Sequence, residues 1–142
     1  IKSFNHNSIR SRLTGRPWYT DFYNPNHEAD ALKLTRNIML NFAKDATKKG
    51  RTPIVAMMPT GLDLKYFKKM GRWPYQPLLH ELKEVSFGVI NIGEGILRRL
   101  ADEDPCHLFD NCSAHFNERG YALVAEVMNE HLKSIIVMSL RR

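Results

Sequence analysis

Residues 109–120 read Phe-Asp-Asn-Cys-Ser-Ala-His-Phe-Asn-Glu-Arg-Gly and run directly into an apolar-periodic segment, Tyr121 to Leu132. Asn117 is a favourable N-cap residue, and Glu118 places a negative charge in the first turn of the predicted helix. The apolar residues that follow recur at spacings of three and four, which predicts an amphipathic helix. His115 therefore precedes a helix start by two residues, in a loop where its ring can meet groups from other loops. This position suits a general base.

Two short apolar runs upstream, Pro53–Met58 and Phe87–Ile92, predict strands that are covered on both faces. Periodic segments around them predict helices, at 26–49, 62–70, 75–85, 93–101 and 118–135. The alternation of helix and strand indicates an α/β fold with a parallel sheet. In such sheets chemistry collects beyond the carboxyl ends of the strands. The segments 59–61 and 92–94 and the His115 loop are expected on that side.

Within the first predicted helix, Asn26 is interpreted as the cap and Gly50 as the end. One apolar face is predicted for this helix, made of Ala31, Leu34, Ile38, Phe42 and Ala46. Asp63 and Glu94 follow the two strands and are expected in solvent, where either could touch substrate. Gly120 is expected to permit close approach of the last helix to the sheet.

Residues 1–26 show no clear periodicity and crowd four aromatic residues between Pro17 and Pro25. We interpret them as an irregular, aromatic-rich arm whose rings dock on the body, with a substrate-contacting lid as the alternative. Residues 27–142 then form the α/β domain. Because the chain begins at Ile1, we expect it to be processed, trimmed or partial.

The 142 residues carry a formal charge of +6, but the basic residues are dispersed and form no stripe with interleaved aromatics. We therefore expect no nucleic-acid partner. No apolar run approaches the length needed to span a membrane. No cofactor is expected, and the compartment stays open.

Cys106 and Cys112 are close enough in sequence to form a disulfide if the loop doubles back. Export of the chain would favour the disulfide, whereas in the cytosol both cysteines would stay thiols. With His107 and His115 they also form a cluster of soft ligands, which makes a zinc site an alternative. The spacing matches no common zinc pattern, and no metal is predicted.

The run Asp110 to Val127, with Gly120 five residues after His115, resembles the last sequence block of the SGNH hydrolases, also called the GDSL esterase and lipase family. The resemblance covers roughly residues 28–135, and the two predicted strands resemble that family's fourth and fifth. It implies a three-layer α/β/α fold with a parallel flavodoxin-like sheet, of which this chain carries the last strands and the C-terminal helix.

The resemblance also implies catalytic roles. His115 would take the proton from a serine hydroxyl, and an upstream aspartate would hold its imidazole. The family usually places that aspartate three residues before the histidine, where this sequence has Cys112. Asp110, five residues before, is the nearest acid, and Asp104 is the weaker candidate.

The Gly-Asp-Ser turn that carries the family's nucleophile is absent from this sequence. The resemblance thus implies a C-terminal part of a serine esterase or acylhydrolase, whose serine lies outside this segment. Its partners would be a small-molecule or carbohydrate ester and the N-terminal remainder of the same domain. The alternatives are an O-acyltransferase of similar fold, and a non-catalytic module that binds carbohydrate or protein through the 18–23 aromatics and Trp73.

Overall fold

The computed structural model describes residues 15–112 and 115–139, with side chains through residue 135. It is a mixed α/β structure with a small parallel sheet. Its helices are α1 (Ala31–Lys48), α2 (Gly61–Met70), α3 (Gln76–Glu81), α4 (Ile92–Leu100) and α5 (Glu118–Ser139), and its strands are β1 (Ile54–Met57) and β2 (Gly88–Asn91). Two 3-10 helices span Trp18–Tyr23 and Pro105–Leu108. None of the helices in this described part is both long and apolar enough to cross a membrane.

The two strands pair in parallel, with a register that runs from Ile54 opposite Gly88 to Met57 opposite Asn91. Both predicted strands and their parallel pairing are thereby confirmed. The predicted cover on both faces is incomplete, because all four residues of β1 are only half-buried. Each strand leads toward a helix at its carboxyl end, α2 after β1 and α4 after β2. The α/β prediction is confirmed at this level of a two-stranded sheet flanked by helices.

The described chain divides into two compact units, of which the second contains residues 54–65, 88–112 and 115–139. In this unit α4 packs on α5. A Cβ added to Gly95 of α4 would lie 2.5 Å from Cγ1 of Val127, which is fully buried on α5. Arg99 of α4 also forms an ion pair with Glu126 at 3.6 Å and another with Glu130. The absence of a side chain at position 95 therefore sets how closely the two helices approach.

The first unit contains residues 15–53 and 66–87 and has an aromatic core. The ring of Trp73 stacks on Phe67 with a centroid separation of 4.3 Å and on Tyr75 at 5.4 Å. Tyr23 from the first 3-10 helix meets Tyr75 edge-on at 6.3 Å. Trp18 and Phe22 from the same 3-10 helix stay exposed.

Helix α1 differs from the prediction in its start and in its buried face. It begins at Ala31 rather than after Asn26, because Asp30 adopts a left-handed conformation with φ of 46° and the preceding residues form turns. Leu32 and Ala43 are the buried residues of this helix. The predicted apolar face is therefore not the buried one: its three large residues, Leu34, Ile38 and Phe42, are 58%, 61% and 52% exposed.

Candidate functional site

The segment that carries His115 lies in the second unit and directly follows a disulfide-closed loop. The 3-10 helix Pro105–Leu108 begins at Asp104, whose Oδ1 accepts a hydrogen bond from the N–H of Cys106 at 3.0 Å. Cys106 is joined to Cys112 by a disulfide. The bridged alternative is therefore the one observed, and neither sulfur is a thiolate available to zinc. In the described part of the chain no three His, Cys, Asp or Glu side chains are grouped as a metal site.

The disulfide loop leads into a short antiparallel ribbon, whose second strand follows Cys112 in the sequence. Phe109 and Phe116 form its bridge, and their rings stack with centroids 4.3 Å apart. The flanking hydrogen bonds run from Asp110 N–H to the His115 carbonyl at 3.1 Å and from Asn117 N–H to the Leu108 carbonyl at 2.9 Å. This pattern places Asp110 directly opposite His115, and opposed residues project from the same side of such a ribbon.

Both predicted site residues present exposed side chains on this held backbone. The rings of Phe109 and Phe116, by contrast, are buried. No hydrogen bond or ion pair within 4.0 Å joins the described side chains of Asp110 and His115. The structure thus brings the two residues to facing positions, with a carboxylate and an imidazole both open to an approaching group.

Asn117 connects the ribbon to helix α5 through both its side-chain and its backbone groups. Its Oδ1 accepts from the N–H of Gly120 at 3.0 Å, the hydrogen bond of an N-cap residue, and its Nδ2 donates to the His107 carbonyl at 2.9 Å. The predicted capping role is confirmed. Because the cap also reaches back to His107, it fixes where the ribbon enters the helix.

Gly120 is packed where a side chain has no room. A Cβ added there would lie 2.6 Å from Cδ1 of Phe116 and would also collide with the carbonyl oxygen of Leu108. The expected close packing of this glycine is confirmed, but its neighbours are the two strands of the His115 ribbon and not the sheet.

The N-terminus of α2 supports the other end of the disulfide loop. Leu62 N–H donates to the Cys112 carbonyl at 3.1 Å, and a Cβ on Gly61 would lie 2.7 Å from the same oxygen. The segment after β1 and the His115 loop were expected on one side of the sheet. The structure brings these two segments into contact.

Asp63 in the first turn of α2 was expected in solvent, and this expectation was wrong. Its side chain is 3% exposed, and its Oδ2 accepts from the N–H of Thr60 at 2.8 Å and from the Thr60 hydroxyl at 3.0 Å. The Thr60 hydroxyl in turn accepts from the Asp63 N–H at 3.2 Å. This is a reciprocal capping box, and the Thr-x-x-acid spacing is the signal that would have found it. Glu94 is exposed as expected and accepts from Asn91 Nδ2 at 2.9 Å.

The second acid candidate, Asp104, is already engaged. The Cys106 N–H and an ion pair with Lys65, whose Nζ lies 3.1 Å from Oδ2, hold the pKa of Asp104 below its usual value. Its carboxylate is therefore committed to the 3-10 helix and to Lys65. Asp110 remains the acid whose position faces His115.

The aromatic residues of the binding-module alternative are only partly brought together. Tyr23 and Trp73 line one cavity of about 510 Å³ in the first unit. Trp18 and Phe22 do not line it, and both are exposed. The comparisons with known proteins are negative throughout: no family model, no curated protein and no solved structure matches the chain.

Proposed function

We propose that this chain is the C-terminal part of a serine hydrolase of the SGNH type, acting on an ester or acyl group. His115 is its general base, and Asp110 orients the imidazole. The nucleophilic serine and most of the oxyanion hole belong to an N-terminal remainder of the same domain. In this proposal the finer fold is the three-layer α/β/α arrangement with a flavodoxin-like sheet.

The observation that carries the proposal is the combination of a held backbone and an exposed imidazole at His115. A disulfide, a two-stranded ribbon, a helix cap and a hydrogen bond from α2 all restrain the loop. A histidine that serves only packing would turn its ring toward the interior, whereas this ring faces solvent. Restraint of the backbone with an open side chain is what a proton-transferring residue requires.

The roles follow from the chemistry of the two side chains. The neutral imidazole would accept the hydroxyl proton as the serine attacks the acyl carbon, and would return it to the leaving alcohol. A carboxylate beside the ring favours the tautomer with the proton on the nitrogen that faces the acid, and stabilises the imidazolium once it forms. Asp110 lies opposite His115 across the ribbon, on the side from which both side chains project.

The test is ester turnover by the protein that contains both this chain and the N-terminal remainder. In that protein His115→Ala is expected to lower kcat/KM for p-nitrophenyl acetate by at least about a hundredfold. His107→Ala is the matched control, because His107 is an exposed histidine inside the neighbouring Cys106–Cys112 loop. We expect it to retain activity.

A fluorophosphonate probe should label the unaltered protein on a serine, and His115→Ala should label slowly. Unchanged ester turnover in His115→Ala, or no labelling of the unaltered protein, contradicts the proposal. For Asp110, the expected result is that Asp110→Asn lowers kcat while KM changes little, because the substitution alters the tautomer and not the binding surface. Adding a sugar acceptor to the assay separates acyl transfer from hydrolysis.

A further inference from the structure

The first unit contains a cavity that the proposed hydrolase chemistry does not use. It has a volume of about 510 Å³, within the range of small-ligand sites. Its floor is formed by Leu32, Tyr66 and Trp73, which are at most 6% exposed. The cavity thus combines a buried apolar floor with an open mouth.

The floor is held rigid by aromatic stacking. Phe67 and Tyr75 stack nearly parallel on the ring of Trp73, with interplanar angles of 28° and 16°. These ring contacts hold the Trp73 side chain in place in the floor of the cavity.

The charged residues of the lining leave a net positive charge. Arg16 pairs with Asp21 at 3.0 Å, and Glu81 pairs with Arg36 at 3.2 Å. Arg72 also lines the cavity, and no ion pair involves it within the described residues. Among the described residues, the exposed guanidinium of Arg72 therefore stands at the mouth without a paired carboxylate.

The backbone fixes the position of Arg72 relative to the floor. Gly71 ends α2 in a left-handed conformation with φ of 66°, and its N–H donates to the Phe67 carbonyl at 2.8 Å. Trp73, immediately after Arg72, is buried in the stack. The cationic side chain thus lies between a helix end and a buried ring, beside the apolar floor.

From this arrangement we propose that the cavity binds a small organic monocarboxylate with a compact apolar body. The apolar body packs on Leu32 and Tyr66, and the carboxylate pairs with Arg72 at the mouth. A single unpaired guanidinium matches one negative charge, and the apolar floor disfavours a fully hydrated ion such as phosphate. The site is independent of His115 and would exist whether or not the hydrolase proposal holds.

The experiment titrates the chain with 3-phenylpropionate and with its neutral counterpart 3-phenylpropionamide, while the indole N–H resonance of Trp73 is followed by NMR. Trp18→Phe assigns that resonance. We expect a saturable shift with the carboxylate and at least about threefold weaker binding of the amide, since an exposed charge pair contributes modestly. Arg72→Gln should weaken the binding of 3-phenylpropionate about fivefold and leave the binding of the amide unchanged.

Lys33→Gln is the matched control, because Lys33 is an exposed cation of the same unit that does not line the cavity. It should bind both probes as the unaltered chain does. The proposal is overturned if 3-phenylpropionate produces no saturable shift, if the acid and the amide bind equally, or if Lys33→Gln weakens the acid as much as Arg72→Gln. The chemical-shift dispersion of the backbone amides shows whether each variant is folded. A loss of binding in a folded variant is then due to the substitution and not to unfolding.

Discussion

Replacement of Gly120 by alanine tests whether the His115 ribbon is packed as described. Gly120 lies in the first turn of α5, where alanine is intrinsically the better helix former by up to about 1 kcal/mol. On propensity alone the substitution would stabilise the chain. The structure predicts instead that the substitution destabilises the chain. The new methyl group would lie 2.6 Å from Cδ1 and 3.0 Å from Cβ of Phe116 and would overlap the Leu108 carbonyl oxygen.

The size of the expected stability loss follows from the atoms that must move to make room for the new methyl group. Overpacking a well-packed site costs about 1–3 kcal/mol. The Leu108 carbonyl also accepts the Asn117 N–H at 2.9 Å, and displacing it weakens a hydrogen bond worth about 1 kcal/mol. After the gain in helix propensity, we expect Gly120→Ala to lower the free energy of unfolding by about 2 kcal/mol.

Equilibrium unfolding in urea measures this change, and a loss of about 2 kcal/mol should lower the midpoint by roughly 1 M. Ala122→Gly calibrates the propensity scale, since Ala122 is an exposed residue of the same helix and its loss should cost about 1 kcal/mol. Hydrogen exchange of the Asp110 amide, which donates to His115, should accelerate in Gly120→Ala. An unfolding free energy equal to or above that of the unaltered chain would refute the packing described for residues 108–120.

Two further predictions concern the same loop. The Cys106–Cys112 bridge spans a sequence separation of 6, and its reduction should lower the free energy of unfolding by about 2.2 kcal/mol, as expected from the entropy of loop closure. Urea unfolding with and without dithiothreitol measures this loss, and the stability of the double variant Cys106→Ser/Cys112→Ser should not respond to the reductant. The pKa of Asp104 is held down by the Cys106 N–H and by Lys65, so its stabilising contribution is present above the unfolded-state pKa of about 4 and is lost as pH falls through the lower folded-state value. The difference in unfolding free energy between the unaltered chain and Asp104→Asn should therefore be constant above about pH 5 and shrink in stronger acid, and a difference that grows on acidification would contradict the assignment.

Elements whose pattern involves only neighbouring residues were predicted well from the sequence. The continuous, partly β-branched apolar runs identified β1 and β2 as strands, although all four residues of β1 are only half-buried. The capping role of Asn117 followed from its place before a periodic segment. In both cases the physical cause lies within a few residues, so local sequence carries the information.

Features that depend on distant contacts were not predictable in the same way. Helix α1 has apolar residues on two faces, and periodicity cannot tell whether Leu32 or Leu34 is covered. The disulfide was left open because two cysteines alone do not reveal the redox environment. The burial of Asp63 was missed because the acid was judged by its nearness to a strand end, although its spacing from Thr60 predicts a capping box.

The burial of the two strands bears on how the proposed domain would be completed. In β2, Ile90 is 2% exposed, whereas all four apolar residues of β1 are only half-buried. A parallel sheet is normally covered on both faces, and two strands are fewer than a stable parallel sheet contains.

In the flavodoxin-like order 2-1-3-4-5, the last strand is an edge and the fourth strand pairs on both sides. If β1 and β2 are the fourth and fifth strands, the missing strands must join at β1. The less buried strand is therefore the one that the proposed fold requires to gain a neighbour. The same addition would bring a preceding strand's carboxyl end, where a nucleophilic serine would lie, toward the side of the sheet that holds the His115 loop.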